Sequence, residues 1–213
     1  GTTGSGKSTT VAGLLNALSD PSRYPAARIL VLDIHGEYAK ALSNRSTVFR
    51  VSADYVQGQK PLNIPFWALS FDELVPFAFG RLNDAQASVV ADAIVDLKRE
   101  ALVNHPRAGV AVEDVTADTP IPFCIHKLWF DLHRREHHTL IPNPGAGVGE
   151  VEHAYVLDNA GQPQDFGDAM TVRPPLYRTV KTTGPADERV QLGSGTIGIR
   201  AQLTSLASKL RDP

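Results

Sequence analysis

The residues with the clearest chemical capacity stand at the start of the sequence, in GTTGSGKSTT. The spacing Gly1-x-x-x-x-Gly6-Lys7-Ser8 is the pattern of a phosphate-binding loop, or P-loop. Glycines suit such a loop because backbone N–H groups must surround an anion closely, without side chains in the way. Lys7 would neutralise the β- and γ-phosphates of a nucleotide, and the Ser8 hydroxyl would bind Mg²⁺. The predicted nucleotide-binding residues are Gly1, Thr2, Thr3, Gly4, Ser5, Gly6, Lys7, Ser8 and Thr9.

A second group of candidate site residues follows one crossover later, in RILVLDIHGEYAKAL. The apolar run that ends in Asp33 predicts a buried parallel strand, whose carboxyl edge lies beside the phosphate loop. There the Asp33 carboxylate could hold a Mg²⁺-bound water or orient the attacking water. Glu37 is either a second acid of this site or a surface acid that opens a helix, EYAKAL. The candidate catalytic residues are therefore Lys7, Asp33 and Glu37, and the candidate metal ligands are Ser8 and Asp33.

Alternating helices and strands must position these motifs. After the loop, Val11, Leu14, Leu15 and Leu18 recur at helical spacing, and Asp20-Pro21 ends this first helix. The short apolar segments 27–33 and 47–52 predict strands, of which the first is buried on both faces.

Two further helices are predicted before residue 104. SFDELVPFAFG is typical of a short helix with Ser70 as its N-cap and Glu73 closing the capping box. A longer helix follows, capped by Asp84, with an apolar stripe formed by Val89, Ala93, Ile94 and Leu97.

The character of the sequence changes after about residue 104. CIHKLWFDLHRREHH predicts a helix, and residues 141–193 are rich in Gly and Pro with weak periodicity, which indicates an insertion of short strands and loops. A last helix is predicted from about Ile197 to Leu210. We therefore predict an α/β P-loop NTPase fold of the RecA-like kind, a truncated three-layer sandwich with a mostly parallel sheet. Its core would comprise residues 1–103, the insertion 104–193, and a returning helix 194–213.

GTTGSGKSTT followed by ILVLDIHGEY resembles the central ATPase domain of the HerA family, relatives of the FtsK DNA translocases. The matching residues are Gly1–Ser8 and Asp33 with His35–Tyr38. The resemblance implies a hexameric motor that uses ATP and Mg²⁺ to move along double-stranded DNA. It also implies an arginine finger in trans, and a partner such as a NurA-type nuclease or another antiphage-defence effector.

One expected part of such a motor is missing from the sequence. A later strand should end in Asp-Glu, the Walker B acid and the catalytic glutamate, but HAYVLD (153–158) is the only formal candidate and has no neighbouring Glu. We expect that segment beyond Pro213, and the first strand before Gly1. The 213 residues alone would then show weak or no ATPase activity.

The composition is compatible with a soluble, cytoplasmic protein. The formal net charge is −2, hydrophobic residues make up 42% and charged residues 21%, and a single cysteine, Cys124, excludes an internal disulfide. No apolar run approaches the roughly 18 residues of a membrane span, so no membrane association is expected.

Several other patterns have simpler interpretations. HRREH (133–137) matches an inverted zinc-peptidase pattern, but a solvated helix end accounts for it, and Cys124-x-His126 is more typical of packing. Lys127, Arg134, Arg135, Arg173, Arg178 and Lys181 could contact phosphates but are also ordinary surface residues. Two alternative functions stay open, a P-loop small-molecule or nucleotide kinase and a non-hydrolysing ATP-binding oligomerisation module.

Overall fold

The structure, a computed structural model, describes residues 6–42, 45–142, 151–185 and 188–212. The chain divides into two compact units, Gly1–Ile64 and Pro65–Pro213. Within the described residues, no helix is both long and apolar enough to cross a membrane.

Among its described residues, the first unit contains one α-helix and a small parallel sheet. Helix α1 comprises Lys7–Leu18, as predicted from its apolar spacing. Strand β1 (Phe49–Arg50) pairs in parallel with β2 (Lys60–Pro61), so that Phe49 lies opposite Lys60. The predicted strand 47–52 therefore exists but is shorter, and Tyr38–Leu42 forms a turn rather than a helix, closed by the Leu42 N–H on the Tyr38 carbonyl at 3.1 Å.

None of the described residues in this unit is buried. Along α1, Leu14 is 59% exposed, and in the segment 27–33 Leu30 is 89% and Leu32 87% exposed. The prediction that 27–33 forms a strand buried on both faces is wrong, because this segment has no strand pairing in the structure. A doubly buried parallel strand requires a neighbour on each edge and helices over both faces, and the described residues provide neither here.

The described part of the second unit has four α-helices and an antiparallel sheet. The helices are α2 (Phe71–Ala78), α3 (Asp84–Asn104), α4 (Ile125–His137) and α5 (Arg200–Arg211). The strands are β3 (Thr139–Pro142), β4 (Val151–His153) and β5 (Gln191–Leu192), with β3 in the centre. All four helices coincide with predicted ones, with ends that differ by a few residues.

Local hydrogen bonds explain where α2 and α3 begin. The Glu73 carboxylate accepts from the Ser70 N–H at 3.0 Å and from its hydroxyl at 2.8 Å, which confirms the predicted capping box. Helix α3 is capped by Asn83, not by Asp84: Asn83 accepts from the Gln86 N–H at 2.9 Å, and Gln86 accepts from the Asn83 N–H at 3.0 Å. Asn is as effective a cap as Asp, and only Asn83 has a glutamine three residues later.

Helices α3, α4 and α5 enclose the main core. Trp129 is 2% exposed, and its indole N–H donates to the Leu203 carbonyl at 3.1 Å, which joins α4 to α5. In α3, Ile94 and Leu97 are buried as predicted, whereas Val90, outside the predicted stripe, is fully buried. The main core comprises Leu74, Ala78, Phe79, Val90, Ile94, Leu97, Phe123, Leu128, Trp129, Leu132, Val172, Ile199, Leu203, Leu206 and Ala207.

A buried lysine that the sequence did not reveal stabilises the loop between α3 and α4. Lys98 is 1% exposed, and its ammonium donates to the carbonyls of Ala117 at 2.5 Å and Thr119 at 2.8 Å. Burial lowers the pKa of Lys98, and the nearby carboxylate of Asp118 partly opposes this shift. The two carbonyls compensate for the lost hydration, so Lys98 acts as a structural cross-link.

The described residues therefore form a mixed α/β protein with one small parallel and one antiparallel sheet. The division into a core of 1–103, an insertion of 104–193 and a returning helix of 194–213 stays a prediction. The compact units instead divide the chain after Ile64, and α3 packs with α4 inside the second unit.

Acid should destabilise the second unit through His133. Burial, together with His137 and Arg200, lowers the pKa of His133 from 6.5 to about 4. Between these two values the unfolded chain binds a proton that the folded chain does not, so stability is lost as the pH falls from 6.5 to about 4. After allowance for the partial exposure of the ring, we expect a loss of about 2 kcal/mol.

Urea unfolding at both ends of this pH range, followed by tryptophan fluorescence, measures that loss. His133→Phe should reduce the loss, whereas the same substitution at the exposed His105 should leave it unchanged. An equal loss in wild type and His133→Phe would contradict the assignment.

Candidate functional site

The first turn of α1 displays the described part of the phosphate-loop pattern. Gly6 precedes the helix with φ 72°, a left-handed conformation that glycine adopts without strain. The first internal hydrogen bond runs from the Thr10 N–H to the Gly6 carbonyl at 2.9 Å, and the Thr10 hydroxyl donates to the same carbonyl at 3.0 Å. Lys7, Ser8 and Thr9 are exposed at the helix start. The other predicted loop residues, Gly1, Thr2, Thr3, Gly4 and Ser5, lie outside the described residues.

This helix start fits a magnesium-bound nucleotide. The N–H groups of a first turn have no acceptor within their own helix and carry the positive end of the helix dipole. A bound phosphate would accept these hydrogen bonds, with the Lys7 ammonium close by. The Ser8 hydroxyl is the kind of oxygen ligand that Mg²⁺ uses beside phosphates.

Asp33 organises the loop that follows it. Its carboxylate accepts from the Glu37 N–H at 3.1 Å and from the Tyr38 N–H at 2.9 Å. Gly36 allows this turn because its φ is 70°. The Tyr38 N–H contributes most to lowering the pKa of Asp33, partial burial opposes it, and the N–H groups of Glu37, Gly36 and His35 add to the lowering. Asp33 is therefore an anion at neutral pH, as a metal ligand or water-orienting group must be.

The structure describes no direct bond between the two groups of candidates. Among the described residues, no hydrogen bond or ion pair joins Lys7 or Ser8 to Asp33. Glu37 is exposed and contributes its backbone N–H to Asp33. The catalytic and metal-binding roles of these residues remain predictions.

Arg50 is a residue near the Asp33 loop that sequence reasoning missed. A Cβ atom on Gly36 would lie 3.2 Å from an Nη atom of Arg50, so this guanidinium lies over the loop. Arg50 is the last residue of β1. A basic residue at the end of the strand that follows the Asp33 motif is the sequence signal by which it could have been found. A side chain at position 36 would meet both the positive φ and this guanidinium.

The His and Glu side chains of the HRREH pattern do not point toward a common metal position. His133 and His137 stack with ring centroids 4.0 Å apart, while the Glu136 carboxylate is 1% exposed and accepts from the Ile197 N–H at 2.5 Å. Sequence analysis predicts a solvated helix end here, and that prediction is wrong because Glu136 is buried. Within the described residues, no cluster of His, Cys, Asp and Glu could hold a metal ion.

Asp158, the formal Walker B candidate, also has a local role. Its carboxylate accepts from the Ala160 N–H at 2.8 Å and the Gln162 N–H at 2.9 Å, and so closes a tight turn. The preceding residues bridge antiparallel neighbours, with Tyr155 opposite Tyr177. This is not the buried parallel strand that a Walker B acid terminates.

A helix that begins after a glycine and carries Lys and Ser as its first two residues is the signature of the phosphate-loop class of nucleotide-binding domains. The profile of the family described as Helicase HerA, central domain, matches residues 1–169. The chain belongs to this family, as its two motifs predicted, and membership implies an ATP-binding motor domain of the HerA/FtsK type. No curated protein matches the sequence significantly.

Replacing Asp33 by Asn should separate nucleotide binding from hydrolysis. The amide retains one oxygen acceptor but loses the charge, so in the full-length protein ATP should still bind while turnover slows, by an expected factor of about 10 or more. Asp20→Asn is the matched control, because Asp20 also caps a local turn, at the Ser22 N–H, and its pKa is lowered by Ser22. Unchanged turnover in Asp33→Asn, or equal losses in both variants, would remove Asp33 from the site.

Proposed function

We propose that this chain is the ATP-binding portion of an ATP-hydrolysing motor that translocates double-stranded DNA. In this proposal the parent protein has the RecA-like three-layer sandwich, works as a hexamer in the cytoplasm, and cooperates with a NurA-type nuclease or another defence effector. Family membership supports the proposal, together with the order of the two motifs in the sequence.

One structural observation carries the nucleotide-binding part. Gly6, at φ 72°, turns the chain into a 12-residue helix whose first two residues are Lys7 and Ser8. The ammonium, the hydroxyl and the first-turn N–H groups therefore come together at one exposed helix end. These are the three kinds of donor or ligand that a magnesium-bound triphosphate needs.

In the proposed mechanism, Lys7 neutralises charge on the β- and γ-phosphates and Ser8 ligates Mg²⁺ when it is bound. Mg²⁺ would supply charge neutralisation at the transferring phosphoryl group. Asp33 holds a water on the metal or orients the attacking water, and its anionic state suits either task. Glu37 is a second acid on the same loop, with its carboxylate exposed to solvent.

The test is nucleotide binding and DNA-stimulated hydrolysis, compared between wild type and Lys7→Ala. We expect Lys7→Ala to abolish ATP binding or turnover, because the loop then lacks its main cation. Lys40→Ala is the control, since it removes an exposed lysine from the same unit. Near-normal turnover in Lys7→Ala would contradict the phosphate-loop assignment.

Adding duplex DNA distinguishes the proposed motor from the two alternatives. In the full-length protein, a motor should hydrolyse ATP faster with DNA. Phosphoryl transfer to a small acceptor would instead identify a kinase. Tight ATP binding and assembly without turnover would identify a non-hydrolysing module.

A further inference from the structure

A cavity of about 450 Å³ lies at the C-terminal end of α4, in the second unit and apart from the phosphate loop. Cationic or protonatable side chains from α4, from its C-cap and from β4 line most of it. The lining residues are Asp131, Arg134, Arg135, His138, His153, Ser194 and Gly195.

Both arginines of this cavity have unused donors. The ion pairs among the described residues are Lys127–Glu100, Arg173–Asp165 and Lys181–Glu188, so neither Arg134 nor Arg135 has a described carboxylate within 4.0 Å. Arg135 donates its Nε–H to the Gly195 carbonyl at 2.7 Å, which leaves its Nη groups available. A guanidinium with free Nη donors recognises oxyanions through paired hydrogen bonds.

Close packing fixes the wall opposite the arginines. The Gly193 N–H donates to the His138 carbonyl at 2.9 Å, and a Cβ atom on Gly193 would lie only 1.8 Å from His138 Nε2. No other residue type fits at position 193 without displacing that ring. The next glycine, Gly195, is in the left-handed region with φ 91° and contacts Arg135. The GSG turn is therefore held against the end of α4.

His138 helps to form the cavity wall. Its Nδ1 lies 2.9 Å from the Arg134 carbonyl and 3.2 Å from the Arg135 carbonyl, which holds the ring against the end of α4. His153 lies beside it, with ring centroids 5.7 Å apart, and burial, helped by His138 and Arg134, lowers the pKa of His153. A bound anion would favour the protonated form of His153.

An aromatic surface continues from the cavity. His153 lies 6.4 Å from Tyr177, which stacks on Tyr155 at 5.0 Å, and Phe166 meets Tyr155 edge-on. Burial raises the pKa of Tyr177 to about 12, the nearby Tyr155 hydroxyl acts in the same direction and the Arg134 guanidinium opposes it, so the Tyr177 hydroxyl keeps its proton. Rings of this kind provide stacking surfaces for nucleobases.

Two features oppose an anion here and must be outweighed. The end of α4 carries about half a negative charge, although His138 hydrogen-bonds two of its carbonyls. Asp131 also lines the cavity; burial raises its pKa, while Lys127 and Arg134 lower it. The two positive charges of the guanidinium groups still exceed the negative charge of one carboxylate plus the half charge of the helix end.

We propose that this cavity binds a nucleotide phosphate, with Arg134 and Arg135 as its main ligands and Ser194 as a further donor. The volume exceeds that of a lone phosphate and falls in the range of small-ligand sites, and the adjacent rings suit a base. This site goes beyond the proposed function: it is distinct from the ATP loop, and Ser194 and Gly195 lie outside the family match at residues 1–169.

The test uses histidine-ring NMR signals of the whole chain, which report on this cavity specifically. The probes are inorganic phosphate, thymidine monophosphate and oligothymidylate, each titrated into the wild type and into Lys7→Ala. We expect saturable shifts of the His138 and His153 signals, assigned by substitution, that persist in Lys7→Ala. That persistence separates this site from the ATP loop, so either proposal can fail alone.

Matched variants identify the ligands. Arg134→Gln with Arg135→Gln should weaken phosphate binding about 10- to 100-fold, as expected for charge-assisted hydrogen bonds. Arg81→Gln with Arg107→Gln removes the same charge from exposed positions and should change binding by less than about twofold. Asp131→Asn should strengthen binding, because it removes the opposing carboxylate.

Arg134→Gln alone is the milder variant, because Arg134 forms none of the ion pairs among the described residues, and its guanidinium lies near the Tyr177 hydroxyl at the cavity. It should weaken binding while thermal unfolding stays at the wild-type temperature. Saturation by phosphate and the mononucleotide alone would identify a free ligand, and saturation by oligothymidylate alone would identify a polynucleotide; either supports the site. Absence of saturable shifts, or equal weakening by the control pair, would overturn the proposal.

Discussion

The buried carboxylate of Glu136 is the interaction on which the second unit's C-terminal half depends. It is 1% exposed and accepts from the N–H groups of Ile197, at 2.5 Å, and Gly198, at 3.2 Å. A buried carboxylate without such donors would cost several kcal/mol, so the segment before α5 must lie against the end of α4. The Arg200 guanidinium strengthens this attachment by donating to the Glu136 carbonyl at 2.8 Å. The same attachment seats α5 on Trp129 and forms one wall of the arginine-lined cavity.

The first unit is organised in a different way. None of its described residues is buried, so local hydrogen bonds rather than a core define its candidate site. Gly6 and Thr10 set the start of α1, and the Asp33 carboxylate holds the N–H groups of Glu37 and Tyr38. These bonds orient Lys7, Ser8 and Asp33 individually. Among the described residues, no hydrogen bond or ion pair connects the acid to the helix start.

Sequence patterns succeeded where the determining interactions are local. The Ser70–Glu73 capping box and the apolar faces of α3 and α4 depend on residues three or four positions apart. Asn83 rather than Asp84 caps α3 because only Asn83 is followed three residues later by a glutamine that completes the capping box. The strand expected at 27–33 failed because a buried parallel strand depends on neighbours elsewhere in the chain, and an apolar run only indicates that it could be buried. The charged HRREH segment looked solvated because its buried partners are far away in sequence.

By itself, the sequence determined the family, the phosphate-loop pattern and the positions of the helices, because each is written in short, contiguous stretches. Only the tertiary structure decided which charged groups are buried and what they hold. Glu136 meets Ile197 across 61 positions, and Lys98 meets Thr119 across 21. The arginine-lined cavity likewise joins α4, β4 and the GSG turn. Charged residues are ordinarily exposed, so burial of these groups follows only from the long-range packing that supplies their hydrogen-bond partners.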